Sequence, residues 1–236
     1  FLSGISNASS FEIPTTVKTV AASGDYFIGI DSSGELYKIS KANLLAGLSS
    51  EGGGDNSGGE NGNNGITLTF TSNGDSEGLF YYLGTSGLTT TWSNPVAGSS
   101  LIVTASTTEG GTVASLSDRI ASEWYSNIAA NNWVKYQITT GKLICNHYSI
   151  RSRSNNVDYY PRNWQLQGSN DGTNWAVLDE QVNNTDISSV SQWLSLPVTP
   201  TTAYSYFRLL QNGIDSSGVG YLCLGEVELY GEYIPS

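Results

Sequence analysis

From Ile66 onward, apolar side chains recur at every second position. Ile66, Leu68 and Phe70 alternate with Thr, Trp133 to Ile138 reads W-V-K-Y-Q-I, and Trp164 and Leu166 alternate with Gln. A period of two is what a strand with one buried face requires, because successive side chains leave it on opposite sides. Phe207-Arg208-Leu209-Leu210 and Val227-Glu228-Leu229-Tyr230 add two more β-type runs. Turn formers separate them at Asn94-Pro95, Gly110-Gly111, Asp171-Gly172 and Ser217-Gly218. Many short strands punctuated in this way predict an all-β fold, a sandwich or barrel. No internal repeat is legible.

The first fifty residues read differently. Tyr26 to Ile30 and Glu35 to Ile39 flank Asp31-Ser32-Ser33-Gly34, a hairpin signal in which Gly supplies the positive-φ position. Ser40 then suits the N-cap of a short helix running through Leu45, with Gly47 at its end. A lone hairpin is marginal in water. Residues 1–50 are therefore expected to gain burial from another chain, as an attachment and oligomerisation segment, or else by packing on the C-terminal domain. Residues 51–65 read EGGGDNSGGENGNNG, with seven Gly, four Asn and no apolar side chain. Such a stretch cannot offset its ordering entropy by burial and is expected to be a linker. Residues 66–236 form the C-terminal domain.

Composition narrows the chemistry. The 236 residues hold ten Lys plus Arg against twenty-one Asp plus Glu, a net charge of −11. With no basic face in view, a nucleic-acid partner is excluded from the reading. The single His makes zinc sites and Ser-His-Asp catalysis poor fits, and no paired carboxylates stand out, so the chain reads as non-enzymatic. No apolar run reaches the roughly 18 residues of a membrane-spanning helix, and no membrane insertion is expected. Phe1-Leu2-Ser3-Gly4-Ile5 has neither the basic start nor the apolar run of a signal peptide. Cys145 and Cys223, 78 residues apart, allow either a disulfide or two buried thiols.

The stretch from Trp92 to Tyr233 resembles the discoidin, or coagulation-factor type C, family. Ser93-Asn94-Pro95 opens the match, Ala114 to Trp124 (ASLSDRIASEW) follows, and Asn131 to Tyr136 continues it, with Gln137-Ile138-Thr139-Thr140-Gly141 in place of the family's Asp-Leu-Gly. Pro161-Arg162-Asn163-Trp164-Gln165-Leu166-Gln167-Gly168-Ser169-Asn170-Asp171-Gly172-Thr173-Asn174-Trp175 is the most specific part. Tyr204 to Leu209 and Gly225 to Gly231 resemble the closing strands. The resemblance implies a galactose-binding-like β-sandwich, a jelly roll. It also implies that Asp171-Gly172 turns a tight hairpin, with Trp164 and Trp175 structural and Trp175 covering the core behind the turn. Glu226, with Asp118 and Ser122, would hold a structural calcium ion. Calcium needs six to eight oxygens, however, and the side chains supply few, so a hydrogen-bonded Glu226 at a strand end is the alternative.

Ligand chemistry is expected in loops at one end of the sandwich. His147 to Arg162 is the most distinctive stretch, holding three of the five Arg and the only His. Arg151, Arg153 and Arg162, with His147, Tyr159 and Tyr160, are the candidate ligand-binding residues, because guanidinium forks bind hydroxyls and carboxylates and aromatic faces stack on sugar rings. The competing view places Arg151 and Arg153 along a charged strand edge. Asn155, Asn156, Asn212 and Asp215 are weaker polar candidates. Residues Asp25 to Ile39 and Leu44 to Leu48 resemble a module near the starts of bacteriophage tail-fibre and other virion proteins. Together these features describe a virion surface protein, a tail or head fibre or decoration protein. Its partners would be host surface glycan and, through the N-terminal segment, other virion subunits, with a homotrimer expected. The alternatives are a decoration protein making protein contacts only, and a carbohydrate-binding module of a secreted glycosidase.

Overall fold

In a computed structural model the described residues are 26–30, 36–40, 65–120, 122–155, 158–200 and 202–236. The chain divides into two units, Phe1–Glu60 and Asn61–Ser236. In the first, β1 (Tyr26–Ile30) pairs antiparallel with β2 (Leu36–Ser40), Tyr26 opposite Ser40 and Ile30 opposite Leu36. The turn expected at Asp31–Gly34, the helix expected after Ser40, the linker expected up to Asn64, and Asn156 lie outside the described residues.

The second unit is a jelly-roll β-sandwich, as the alternating pattern predicts. Its strands are β3 (Ile66–Leu68), β4 (Leu101–Ala105), β5 (Gly110–Gly111), β6 (Trp124–Tyr125), β7 (Trp133–Ile138), β8 (Gly141–Arg151), β9 (Trp164–Ser169), β10 (Ala176–Gln181), β11 (Trp193–Pro197), β12 (Tyr206–Gln211), β13 (Cys223–Leu224) and β14 (Glu226–Pro235). Among the described residues an α-helix, α1 (Leu79–Gly84), and a 3-10 turn at Val113–Ser117 interrupt them. A five-stranded antiparallel sheet runs β10-β9-β12-β7-β4, a four-stranded one runs β11-β8-β14-β3, and β13-β6-β5 make a small third sheet.

The core between the two large sheets follows from the period of two. Val134, Tyr136 and Ile138 of β7 point inward, as do Phe207 and Leu209 of β12, and they share one cluster with Tyr148, Ile150, Val227 and Leu229 from the facing sheet. A polar tie crosses this interior: Trp164 Nε1 donates to the Tyr148 hydroxyl (2.9 Å), which donates to Asp179 Oδ2 (2.7 Å). The indole N–H and the hydroxyl of this tie are thereby satisfied rather than stranded. The register of β14 against β8 shifts between Tyr230 and Gly231, where Gly231 pairs with Cys145 and Asn146 is the extra residue. Gly231 has φ +142°, and a Cβ there would lie 2.0 Å from the Ile144 carbonyl oxygen. The bulge keeps Leu143 and Cys145 inward on one side of it and Tyr148 and Ile150 inward on the other.

Two expectations need correction. Trp164 is a core residue, 1% exposed, but Trp175 does not cover the core. It is half-buried on the outer side, where the Arg208 guanidinium lies 4.2 Å from its ring centroid. The hairpin turn itself is as expected: Asp171 Oδ1 accepts from the Thr173 and Asn174 amides at 2.8 and 2.7 Å, and Gly172 has φ +70°. The segment from His147 is not a loop throughout, since His147 to Arg151 complete β8, an interior strand of its sheet rather than an edge. Cys145 and Cys223 are both free and buried, and burial pushes each thiol up to about 12.

Candidate ligand-binding site

The six residues singled out between His147 and Arg162 separate into three places. His147 lies on the outer face of the four-stranded sheet, stacked on Phe70 with ring centroids 4.1 Å apart, and desolvation holds its pKa below the ordinary histidine value. Arg151 is on the same face at the end of β8. Its Nε donates to the Ser191 carbonyl (3.1 Å), and its guanidinium lies 5.6 Å from the centroid of Trp193. Arg162 and Tyr160 serve internal structure: Arg162 Nη1 donates to the carbonyls of Asn184 (2.9 Å) and Ile187 (2.7 Å), and Tyr160 is buried.

Arg153 and Tyr159 belong to a third group, at one end of the sandwich. Arg153 is buried, and each of its three guanidinium nitrogens has a partner. Nε pairs with Glu123 Oε2 at 3.0 Å, Nη2 donates to Asn155 Oδ1 at 3.1 Å, and Nη1 lies 3.9 Å from Cys223 Sγ. Asn155 Nδ2 in turn donates to Glu123 Oε1 (3.1 Å). Three half-buried tyrosines surround this network. The guanidinium lies 5.0 Å from the Tyr125 centroid and 5.8 Å from that of Tyr159, and Tyr221 meets both rings edge-on, at 6.2 and 5.1 Å.

Local chemistry explains each placement. In the two-residue strand β6, Trp124 turns inward, fully buried with its Nε1 donating to Thr108 Oγ1, so Tyr125 must face outward. Gly110 makes room for that ring, since a Cβ there would lie 2.3 Å from it. Tyr221 is set by buried Asp215, whose carboxylate accepts from the amides of Ser217, Val219 and Tyr221. Tyr159 has φ +66°, a left-handed conformation unusual for an aromatic residue, and its amide donates to Ser217 Oγ (3.3 Å). Backbone strain of this kind persists where surrounding contacts enforce it, and it concentrates at binding sites. Asn212 lies apart, its Nδ2 donating to Glu180 Oε1 (2.8 Å).

No family profile matches the chain. Among curated proteins it is similar to a BTB/POZ domain-containing protein of Arabidopsis thaliana, 28% identical over 188 residues, covering 70% of this chain and 22% of that protein. It is also similar to the E3 ubiquitin-protein ligase Ufd4 of Drosophila melanogaster, 30% identical over 171 residues, covering 68% of this chain and 6% of that protein. The chain thus spans less than a quarter of the length of these relatives. Among solved structures it is similar to a family 32 carbohydrate-binding module of Clostridium perfringens in complex with GalNAc-β-1,3-galactose. The TM-score is 0.48 and the identity 17%, over 56% of this chain and 96% of that one. The family 32 module of C. perfringens NanJ, in complex with galactose, gives 0.46 and 13%, over 56% and 94%.

Asp118, Ser122 and Glu226 do share one neighbourhood, on the loop after β5 and at the start of β14. The Ser122 hydroxyl donates to Asp118 Oδ1 (3.4 Å), and, secondary to burial, the Asp118 carboxylate raises the pKa of Glu226. Their donor set does not fit a calcium cage. Glu226 Oε1 is occupied by the Arg119 amide (2.6 Å) and Asp118 Oδ1 by the Ile120 amide (2.9 Å). Among the described residues no group of three His, Cys, Asp or Glu is placed to hold a metal. Glu226 Oε2 is buried without a hydrogen bond, as is the Tyr136 hydroxyl, and burial above all pushes the Glu226 carboxyl up to about 8.

Sequence reading missed Glu228. In V-E-L-Y it occupies the polar position of an alternating strand, which ordinarily faces water. Here α1 and the segment before it cover that face, and the Glu228 carboxylate accepts from the Phe80 (2.7 Å) and Tyr81 (3.3 Å) amides at the start of α1. Burial pushes it up to about 7. No cap residue announces α1, because the capping acceptor comes from a strand 148 residues away.

Proposed function

We propose that the sandwich is a non-enzymatic carbohydrate-binding domain whose ligand lies on the tyrosine shelf at its end. The observation that carries this reading is the group formed by Tyr125, Tyr159 and Tyr221 around Arg153, Glu123 and Asn155. Aromatic faces suit the C–H faces of a pyranose ring, while a carboxylate and a carboxamide accept and donate at its hydroxyls. Arg153 is buried, with each guanidinium nitrogen turned onto Glu123, Asn155 or Cys223; it is a positioning residue that fixes Glu123, Asn155 and the rings. The resemblance to the discoidin family and the sugar complexes of similar modules support the same class of ligand. Glycan-array screening of the full chain tests it. Tyr159→Ala is expected to lower retention about tenfold or more, the loss of a stacked aromatic contact. Arg153→Ala is expected to lower both binding and melting temperature, because it leaves Glu123 unpaired. Silence of the whole array would overturn the reading.

Within it, the setting we propose is a virion surface, with residues 1–50 as the attachment segment of a homotrimer. The support is the resemblance of Asp25 to Leu48 to virion attachment modules and the hairpin of β1 and β2. Weak individual sites suit such display, since linked copies bind with avidity. A second reading, a domain making protein contacts only, is favoured by the similarity to an E3 ubiquitin-protein ligase and a BTB/POZ domain-containing protein. Capture of protein partners that Tyr159→Ala leaves intact, with no glycan bound, would select it.

A further inference from the structure

A cavity of ≈ 280 Å³ opens on the outer face of the four-stranded sheet, away from the tyrosine shelf, and nothing in the shelf's function uses it. Its walls include Asn73, Arg119, Arg151, Trp193, Glu226 and Glu228. Glu226 and Arg151 sit directly opposite each other in the β14–β8 ladder, where an ion pair would be the ordinary outcome. They do not form one. The Glu226 carboxylate turns to the Arg119 amide, leaving Oε2 buried and unpartnered, while Arg151 turns to Ser191 and Trp193. Among the described residues the two terminal amino groups of Arg151 carry no hydrogen bond. Asn73 uses only its carbonyl oxygen, which accepts from the Ser195 hydroxyl, so its amino group is also free.

We propose that this cavity is a second binding site, taking one neutral polyhydroxylated ring of monosaccharide size, held between Glu226 and Arg151 beside Trp193. Size and charge both point there. The volume falls just below the roughly 300–1,000 Å³ of small-molecule sites, enough for one ring and too little for a chain. A bound anion would meet Asp75 and a bound cation would meet Arg119 and Arg151, all of which line the walls. A hydroxyl both donates and accepts, so it satisfies an orphaned carboxyl and free guanidinium N–H groups together. Because burial keeps Glu226 protonated at neutral pH, its carboxyl can also do both. The site rests on the cavity's own chemistry and does not require the shelf to bind sugar.

The test is indole N–H spectroscopy on the full-length chain, with the Trp193 resonance assigned through Trp193→Phe, titrated with galactose, glucose and N-acetylgalactosamine. The Trp193 signal is expected to shift saturably with at least one of them and to keep doing so in Tyr159→Gly. In Arg151→Met the apparent affinity should fall about tenfold or more, as for loss of a charged hydrogen bond. Asn73→Ala, on an exposed loop, provides a milder loss should Arg151→Met not fold. A Trp193 signal unmoved by all three sugars overturns the proposal. So does an equal response to methylammonium or acetate, which would make the site one for charge. A response abolished by Tyr159→Gly would return the binding to the shelf. Failure of the glycan array with a shifting Trp193 would sink the shelf alone.

Discussion

Glu226 and Glu228 leave β14 on the same side, and both are nearly withdrawn from water, at 4% and 5% exposed. Burial penalises their charged forms more than the neighbouring amides and Arg119 favour them, so the folded-state values stand at about 8 and about 7 against an ordinary 4.5. Between those limits the folded state retains protons that the unfolded chain has released. The stabilisation is therefore fully present below about pH 4.5 and is lost as pH rises through 7 and then 8. Thermal melts across pH 5 to 9 should show stability falling by several kcal/mol toward the alkaline end, at about 1.4 kcal/mol per pH unit for each group still protonated only in the folded state. Glu226→Gln, which keeps an acceptor for the Arg119 amide, should flatten the upper part of that fall; an unchanged slope would place the titration elsewhere. Tyr159 offers a second expectation at this scale. Its φ of +66° costs a side-chain-bearing residue about 1 kcal/mol that glycine would not incur. Tyr159→Gly should consequently leave the melting temperature unchanged or higher while removing the ring from the shelf.

Among the elements, the bulge between β14 and β8 has the clearest consequence. A methyl group at Gly231 would run into the Ile144 carbonyl, so Gly231→Ala must either shift the register or open the ladder. Urea denaturation should report a loss of at least about 2 kcal/mol, whereas a change under 0.5 kcal/mol would show that the ladder relaxes freely. This scale also marks what could be read from the chain alone. β7 and β9 announced themselves because apolar and polar side chains alternate along them, which is the pattern a period of two encodes. Trp175 was misplaced for the same reason in reverse: a large aromatic beside a tight turn reads as core, yet here it carries Arg208 on an outer face. Arg153, Tyr159 and the hairpin of β9 and β10 were legible as local signals. The shelf as a whole was not, because Tyr125 and Tyr221 reach it from strands and loops about 30 and 60 residues distant from Tyr159. Glu228 and α1 were hidden because each depends on the other across 148 residues, and no window of sequence contains both.

For the molecule as a whole, two units of unequal character follow one another, the hairpin and the sandwich. The glycine- and asparagine-rich composition of residues 51–65 leads us to expect the first proteolytic cuts there, releasing a resistant fragment of the second unit. Cleavage first within the sandwich would argue that the connecting stretch is packed. Sedimentation of the full chain beside that fragment then tests the assembly, with the trimer expected only where residues 1–50 are present. The sandwich has one more property, which comes from its first and last strands being partners. Ile66 lies opposite Tyr233 and Leu68 opposite Gly231, so the chain enters and leaves the fold side by side. A domain wired in this way can be spliced into a surface loop of a host protein without spreading the loop's two ends. Tension applied between those ends would peel β3 from β14 one pair at a time, so such an insertion would yield to pulling well before its core is disturbed.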